Sequence, residues 1–548
     1  MRATWPVRLT QADELILGLC KKQPLWGFFR RYRHVLFDDD TVGALDALYR
    51  PDGRGRLPID VRQKGMAMLL QVAFDVPDHE VPTLTVVDAR WQMVLGCHGR
   101  EEPLLQQGTV FDFRVRAMEA GVVSLLLEKT VEIARKTAGF DHKRLRAIFD
   151  SSPLLGAGRV EDTMNLIGGA ILDLARVAAE EADRPLGDVV EEAGLDLARS
   201  SSVKAWLDID WQSPTARSEA ITRLLQQFDH LRGWLQTQLP AEQLGKPPLG
   251  HHLELVERLI EQDTEPEPPP AAAEAPPEEP PAPATPGEPA ATPAAAPEAG
   301  RRRIRQGVAH DRIISRSDLD MRHGRKSRTK TFNGYKRHVG QDADIEGLIV
   351  VTELVPANAR EHEPVDRLLG LLALRGFEVV EVHADRGYLP AEGLHDRRRR
   401  GLRLVTKPPA ESHGEHFPKS KFRVDFRSGT LTCPAGHEAL AEPVTRFPKR
   451  TCGACPLRPQ CTDCANGRSV TLHPEEQFHR ELAARIATPQ GRRDARERVA
   501  IEHVLARVGQ IQGRRARFRT LEKNRFDLER AAVVNNCFVL DRLLRRAA

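Results

Sequence analysis

Three acidic residues far apart in the chain sit in settings that suit metal-assisted phosphoryl transfer. They are Asp150 in R-A-I-F-D-S-S-P-L-L-G-A-G, Asp385 in V-V-E-V-H-A-D-R-G-Y and Glu502 in R-V-A-I-E-H. In-line displacement at a phosphodiester needs a deprotonated attacking oxygen and a stabilised leaving oxygen, which two cations roughly 4 Å apart supply together. Mg²⁺ keeps much of its water and takes one or two protein oxygens per ion, so three carboxylates suffice. Asp150 and Asp385 each follow a short, mostly apolar run, Leu145 to Phe149 and Val379 to Ala384, that reads as buried strand. Glu502 has Val499, Ile501, Val504, Leu505 and Val508 around it at helical spacing. Two strand ends and one helix face could therefore converge on a pair of cations. A single aspartate at a strand end is more often a turn or cap residue, so the neighbouring motifs decide.

Those motifs must be positioned by a sheet. Thr331 to Val339 and Leu348 to Leu354 read as a hairpin through the polar turn D-A-D-I-E-G. A helix with Val365, Leu368, Leu369, Leu371 and Leu372 on its apolar side leads to the Asp385 strand. Between Asp150 and this hairpin the chain is interrupted. Asp162 to Ile260 reads as several amphipathic helices, and residues 264–299 are acidic, Pro/Ala-rich and free of basic residues, an extended tether. Loop-closure cost grows only logarithmically with length, so such an insert is compatible with folding.

Taken together, A-D-R-G-Y at Asp385, F-D-S-S-P-L-L-G-A-G at Asp150 and R-x3-E at Arg498 and Glu502 resemble the signature of DDE transposases of bacterial insertion sequences, in particular the group called family eleven-eighty-two. The resemblance extends to K-T-F-N-G-Y-K-R-H-V-G-Q-D-A-D, to V-T-E-L-V-P-A-N-A-R-E-H and to a cysteine cluster. It implies an α/β catalytic core of ribonuclease-H-like type, a mixed sheet with helices, in which the strands ending at Asp150 and Asp385 lie side by side. With it come a helical N-terminal domain, a helical insertion and a small Cys-rich module. The chain departs from the family's Tyr-x2-Arg-x3-Glu-x6-Lys pattern, since Ala495 stands at the Tyr position and Gly509 at the Lys position.

Arg498 lies one helical turn before Glu502, so the two share a face. Its guanidinium could clamp a DNA phosphate bidentately, and the competing reading is an i,i+4 ion pair with the glutamate. Lys330, Tyr335, Lys336 and Arg337 stand on the hairpin beside the active edge and could track a DNA strand; a solvated strand face is the alternative. Near the N-terminus, V-R-Q-K-G-M-A-M-L-L-Q-V-A-F carries an apolar stripe. T-V-F-D-F-R-V-R-A-M follows with Thr109 as N-cap and with Arg114 and Arg116 among Phe111, Phe113, Val115 and Met118. The resemblance makes that second helix a candidate groove reader, against a plain bundle helix.

The eight cysteines divide into scattered Cys20, Cys97 and Cys537 and a group spaced Cys433-x18-Cys452-x2-Cys455-x5-Cys461-x2-Cys464. Thiolates at C-x2-C spacing wrap around one tetrahedral ion, which favours structural zinc over a disulfide framework. The resemblance favours Cys433, Cys452, Cys455 and Cys461 as ligands, with Cys464 as the alternative.

The chain has 548 residues, 41% hydrophobic content and a net charge of only +4. The bulk charge conceals basic runs, Arg301-Arg302-Arg303, H-G-R-K-S-R-T-K, D-R-R-R-R-G-L-R and G-R-R-A-R-F-R, that suit a phosphate backbone. No apolar stretch has the length of a membrane span and no signal-peptide core opens the sequence, so a cytoplasmic, nucleoid-associated protein is expected.

The expected organisation is a helical DNA-recognition domain over 1–135, the first catalytic strand in 140–160 and a helical insertion over 161–263. A disordered linker over 264–300, the rest of the catalytic sheet in 301–400, a Cys-rich insertion over 401–480 and a helical end carrying Glu502 over 481–548 follow. The implied activity is a transposase that binds terminal inverted repeats, cuts them with Mg²⁺ or Mn²⁺ and joins the freed 3′ hydroxyl to target DNA as a homodimer. Two readings from other classes share these residues. One is a catalytically silent, transposase-derived DNA-binding protein; the other is a structure-selective nuclease of the same fold.

Overall fold

The computed structural model describes residues 5–49, 59–140, 143–267, 302–327, 329–411 and 414–547. At its centre the Asp150 strand, Arg144–Leu155, is flanked on one side by Thr331–Asp342, antiparallel, and on the other by Glu378–Ala384, parallel. Ile349–Pro356 pairs antiparallel with the far side of Thr331–Asp342, and Arg403–Val405 extends the opposite edge in parallel. In chain order these five strands lie 3-2-1-4-5, with the short strand Arg322–Arg325 beside the remaining part of the second. The arrangement is a mixed α/β sheet compatible with a ribonuclease-H-like core.

The hairpin was legible in its turn residues. Thr331–Asp342 and Ile349–Pro356 flank the expected D-A-D-I-E-G connection, where Gly347 adopts φ +88°, a conformation glycine takes without strain. Helix Val365–Leu374 follows, burying Val365, Leu368, Leu369 and Leu372 against the hairpin's second strand and the Asp385 strand.

The described residues before 140 form eight helices, yet their buried side chains are continuous with those of the sheet. The link is the 27-residue helix Leu521–Ala547, which packs against helices Pro24–Leu36, Val61–Phe74 and Val122–Thr137 as well as strand Ile349–Pro356. Its fully buried Asn536 accepts from Ile349 N at 2.9 Å and donates to Ile349 O at 2.8 Å and to Thr130 Oγ1 at 3.0 Å. One amide thus satisfies the free edge of that strand and fixes it to a helix of the N-terminal region, as a buried polar group requires. Val61–Phe74, expected to be amphipathic, lies inside this core and buries Gln63, Lys64 and Gln71 along with its apolar residues.

The insertion builds a second core around helices Thr163–Glu181, Pro214–Gln238 and Leu249–Asp263. The expected tether begins with a short strand, Thr264–Pro266, paired antiparallel with Arg302–Ile304. The remainder of the tether falls within residues 268–301, which lie outside the described residues. A third, small core of Phe422, Leu431, Phe447 and Val470 belongs to the cysteine-bearing segment. Among the described residues no helix is long and apolar enough to cross a membrane.

Candidate active site

Parallel pairing of Phe149 with Ala384 makes Asp150 and Asp385 the next residues on adjacent strands, about 4.8 Å apart in backbone terms. Asp150 continues its strand and is partly buried; Asp385 ends its strand and opens the short 3₁₀ turn Arg386–Tyr388. Glu502 stands in the first turn of helix Ala500–Ile511, which buries Ile501, Val504 and Val508 and packs on the Asp150 strand. An acid at that position also meets the positive end of the helix dipole.

Arg498 joins two of the three acids. Its Nη1 donates to Asp150 Oδ2 at 2.6 Å, and its Nη2 lies 3.7 Å from Glu502 Oε1. The three carboxylates do not close on one point: among the described residues the only three-donor group within 4.8 Å is Glu381, His383 and Glu497. Glu502 is 60% exposed and reaches the site through Arg498.

Burial pushes the Asp150 carboxyl upward, and neighbouring Asp385 and Glu361 add to the rise, against lowering by the Ser151 amide and Arg498. Neither Asp385 nor Glu361 forms an ion pair among the described residues. The edge therefore carries more negative charge than Arg498 balances. Hard oxygen donors with surplus negative charge fit Mg²⁺ or Mn²⁺.

The Glu381 group escaped the sequence reading, although alternation along E-V-H-A-D puts Glu381, His383 and Asp385 on one side of the strand. It is a charge hub already neutralised by arginine. Arg146 donates to Glu381 Oε1 at 2.8 Å, to Glu497 Oε2 at 2.7 Å and to Asp344 Oδ1 at 2.8 Å, while Arg403 reaches both Glu381 and Asp494. Burial raises the Glu381 carboxyl, but hydrogen bonds from His383, Arg146 and Arg403 outweigh it and hold the group at about 2. Through Asp494 and Glu497 the hub fastens helix Pro489–Glu497, which leads into Arg498, onto three parallel strands.

Several expected DNA contacts are corrected by burial. Tyr335 is fully buried with its hydroxyl donating to Asp318, and Arg337, 4% exposed, donates to Pro153 O at 2.7 Å and Gly513 O at 3.2 Å. Neither can follow a DNA strand. Lys336 donates to Ala359 O at 2.6 Å, whereas Lys330 is exposed near Arg325 and Lys326 at the tip of the hairpin made with Arg322–Arg325. Helix Gln107–Glu119 starts after Gln106 rather than Thr109 and buries Val110, Phe113 and Ala117. Its Arg114 pairs with Asp78, Nη2 to Oδ2 at 2.6 Å, and covers Phe518; Arg116 is exposed and lies over Tyr49. Arg114 is thus a core-facing bundle residue.

In the cysteine segment, strands Arg423–Asp425, Thr430–Thr432 and Glu438–Leu440 form a small sheet and Val444–Arg446 pairs with Ser469–Thr471. Cys433, Cys452, Cys455 and Cys461 line one cavity of about 20 Å³, and Cys464 is exposed outside it. Burial raises the Cys461 thiol and the other three cysteines of the cavity raise it further, against Arg468. No three of these sulfurs lie within 4.8 Å of one another among the described residues, a spacing wider than a closed tetrahedral site.

Residues 432–540 match the family model described as a transposase DDE domain. The match spans the cysteine segment and Glu502, stopping short of both aspartates. This part of the chain is similar to a transposase DDE domain, which supports the resemblance to DDE transposases. No curated protein and no solved structure matches it.

Proposed function

We propose that this chain is a DDE transposase of an insertion sequence of the eleven-eighty-two group, binding terminal inverted repeats, cutting the element ends and joining them to target DNA. The observation that carries the reading is the strand register that sets Asp150 beside Asp385, with the Glu502 helix tied to Asp150 by Arg498. Asp150, Asp385 and Glu502 would hold Mg²⁺ or Mn²⁺. Bound divalent ions would activate the attacking oxygen and stabilise the leaving one.

The chain's own groups supply the rest. Asp150, held in a buried strand, fixes the sheet side of the site. Arg498 draws the exposed Glu502 toward Asp150, and the Arg146–Glu381–Glu497 hub fixes the helix that presents them. Exposed Arg325, Lys326 and Lys330 offer phosphate contacts that buried Tyr335 and Arg337 cannot. The cysteine cavity would hold a structural Zn²⁺ through Cys433, Cys452, Cys455 and Cys461. Two chains would pair two ends as a homodimer in the cytoplasm, at the nucleoid.

Purified protein incubated with labelled terminal-repeat DNA, a target plasmid and Mg²⁺ tests the activity. Joined products are expected. End cleavage without joining would indicate a nuclease, and binding without either would indicate a silent DNA-binding protein.

A further inference from the structure

The basic run G-R-R-A-R-F-R is divided by the fold. Arg517 is used internally, pairing with Asp75 at 2.6 Å and donating to Ile511 O at 2.8 Å. Arg514 and Arg515 are exposed, and among the described residues neither meets a carboxylate. Their backbone is nevertheless locked to the strand that bears Asp150. Leu155 N donates to Arg514 O at 3.0 Å and Ala516 N donates to Leu155 O at 2.7 Å, a parallel bridge. Gly156 N bonds to Asn333 O on the opposite edge, so residues 514–516 lie on the same edge as Glu378–Ala384, which turns away at Asp385.

Buried Arg337 braces this join. It donates to Pro153 O and to Gly513 O, holding the turn at Gly513, φ +92°, against the strand. A buried cation without a carboxylate partner is costly, and its expense here fixes the segment that presents two other arginines. Arg515 Nε donates to Gly156 O at 3.2 Å, leaving both its Nη groups without a partner among the described residues. Leu155 adds apolar surface beside them, 44% exposed. Cations held this way lose less freedom on binding an anion than free surface side chains do.

Leu155 lies five residues beyond Asp150 on one strand, about 16 Å along it. A duplex carries one phosphate per about 3.4 Å of axis on each strand, so about five base pairs span that distance. We propose that Arg514 and Arg515 form a phosphate-binding subsite for the backbone of the DNA duplex, about five base pairs from the cleaved bond. Arg337 is a positioning residue acting through Gly513. The proposal rests on the transposase reading and adds to it a register between DNA and protein.

The test uses the full chain and terminal-repeat duplex without divalent metal, with affinity read by fluorescence anisotropy at several salt concentrations. Arg514→Gln combined with Arg515→Gln should reduce the slope of log affinity against log salt by about two units, and Arg514→Lys combined with Arg515→Lys should retain it. Arg517→Gln, which breaks an internal ion pair, should leave the slope unchanged. A second arm places one neutral methylphosphonate at successive steps from the cut. Wild type should lose affinity several-fold at about the fifth phosphate, and the double glutamine variant should be indifferent there. An unchanged slope in the double glutamine variant, an equal drop in Arg517→Gln, or a methylphosphonate effect that persists in the double variant would overturn the subsite and leave the transposase reading standing. Wild-type protein that fails to bind terminal-repeat duplex would remove both.

Discussion

Arg498 donates to Asp150 across 348 positions of sequence, at 2.6 Å. The same guanidinium sits one turn before Glu502, so a single side chain closes the distance between a strand and a helix that share no local sequence. The phosphate clamp suggested by sequence spacing gives way to an internal tie. Arg498→Ala should lower end cleavage while leaving the slope of log affinity against log salt unchanged, because no phosphate contact and no counterion release is lost. Arg498→Lys should restore part of the cleavage through charge alone. A slope reduced by about one unit in Arg498→Ala would return the residue to the DNA.

The charge hub predicts a stability effect separate from chemistry. Arg146→Ala removes bonds to Glu381, Glu497 and Asp344 and leaves the buried Glu381 with only His383 and Arg403 as partners. The cost should be about 2 kcal/mol, below the range for fully buried pairs because Arg146 is partly exposed. Glu381 titrates at about 2 in the folded chain against 4.5 ordinarily. A depressed carboxylate contributes stability that is present above the ordinary value and lost as pH falls toward the folded one. Denaturant melts between pH 6 and pH 3 should therefore fall less steeply for Glu381→Gln than for wild type, and equal slopes would remove the group from the acid response.

The cavity distinguishes the cysteines. Purified protein should carry about one Zn²⁺ per chain, and Cys433→Ser, Cys452→Ser, Cys455→Ser and Cys461→Ser should each lose it, while Cys464→Ser retains it. Elemental analysis of the five variants decides. Loss in Cys464→Ser would exchange the ligand set.

The ladder between Thr264–Pro266 and Arg302–Ile304 brings the two ends of the tether together. Removing about half of residues 268–301 should leave thermal stability and end cleavage nearly unchanged, since closure is already made by the flanking strands and depends weakly on length. A large loss of cleavage at unchanged stability would give the segment a role beyond connection.

What the sequence disclosed was mostly local. The apolar runs before Asp150 and Asp385, the D-A-D-I-E-G turn and the Leu-rich helix after it each carry their own pattern, and each appears where the pattern puts it. Thr331–Asp342 misled because alternation separates two faces without saying that both are covered. Arg337 reaches Gly513 on one side and His338 reaches Tyr388 on the other. Pairings such as Arg114 with Asp78, or Asn536 with the edge of Ile349–Pro356, depend on distant segments that no window of sequence contains.

The central claim, that Asp150, Asp385 and Glu502 form one metal-dependent site, is tested most directly by Asp150→Asn, Asp385→Asn and Glu502→Gln, with end cleavage and end binding measured side by side in Mg²⁺. Each variant should bind terminal-repeat DNA like wild type and cut it at least about 10³-fold more slowly, an effect of roughly 4 kcal/mol on the barrier. Cleavage at the wild-type rate by any one of them would contradict the site.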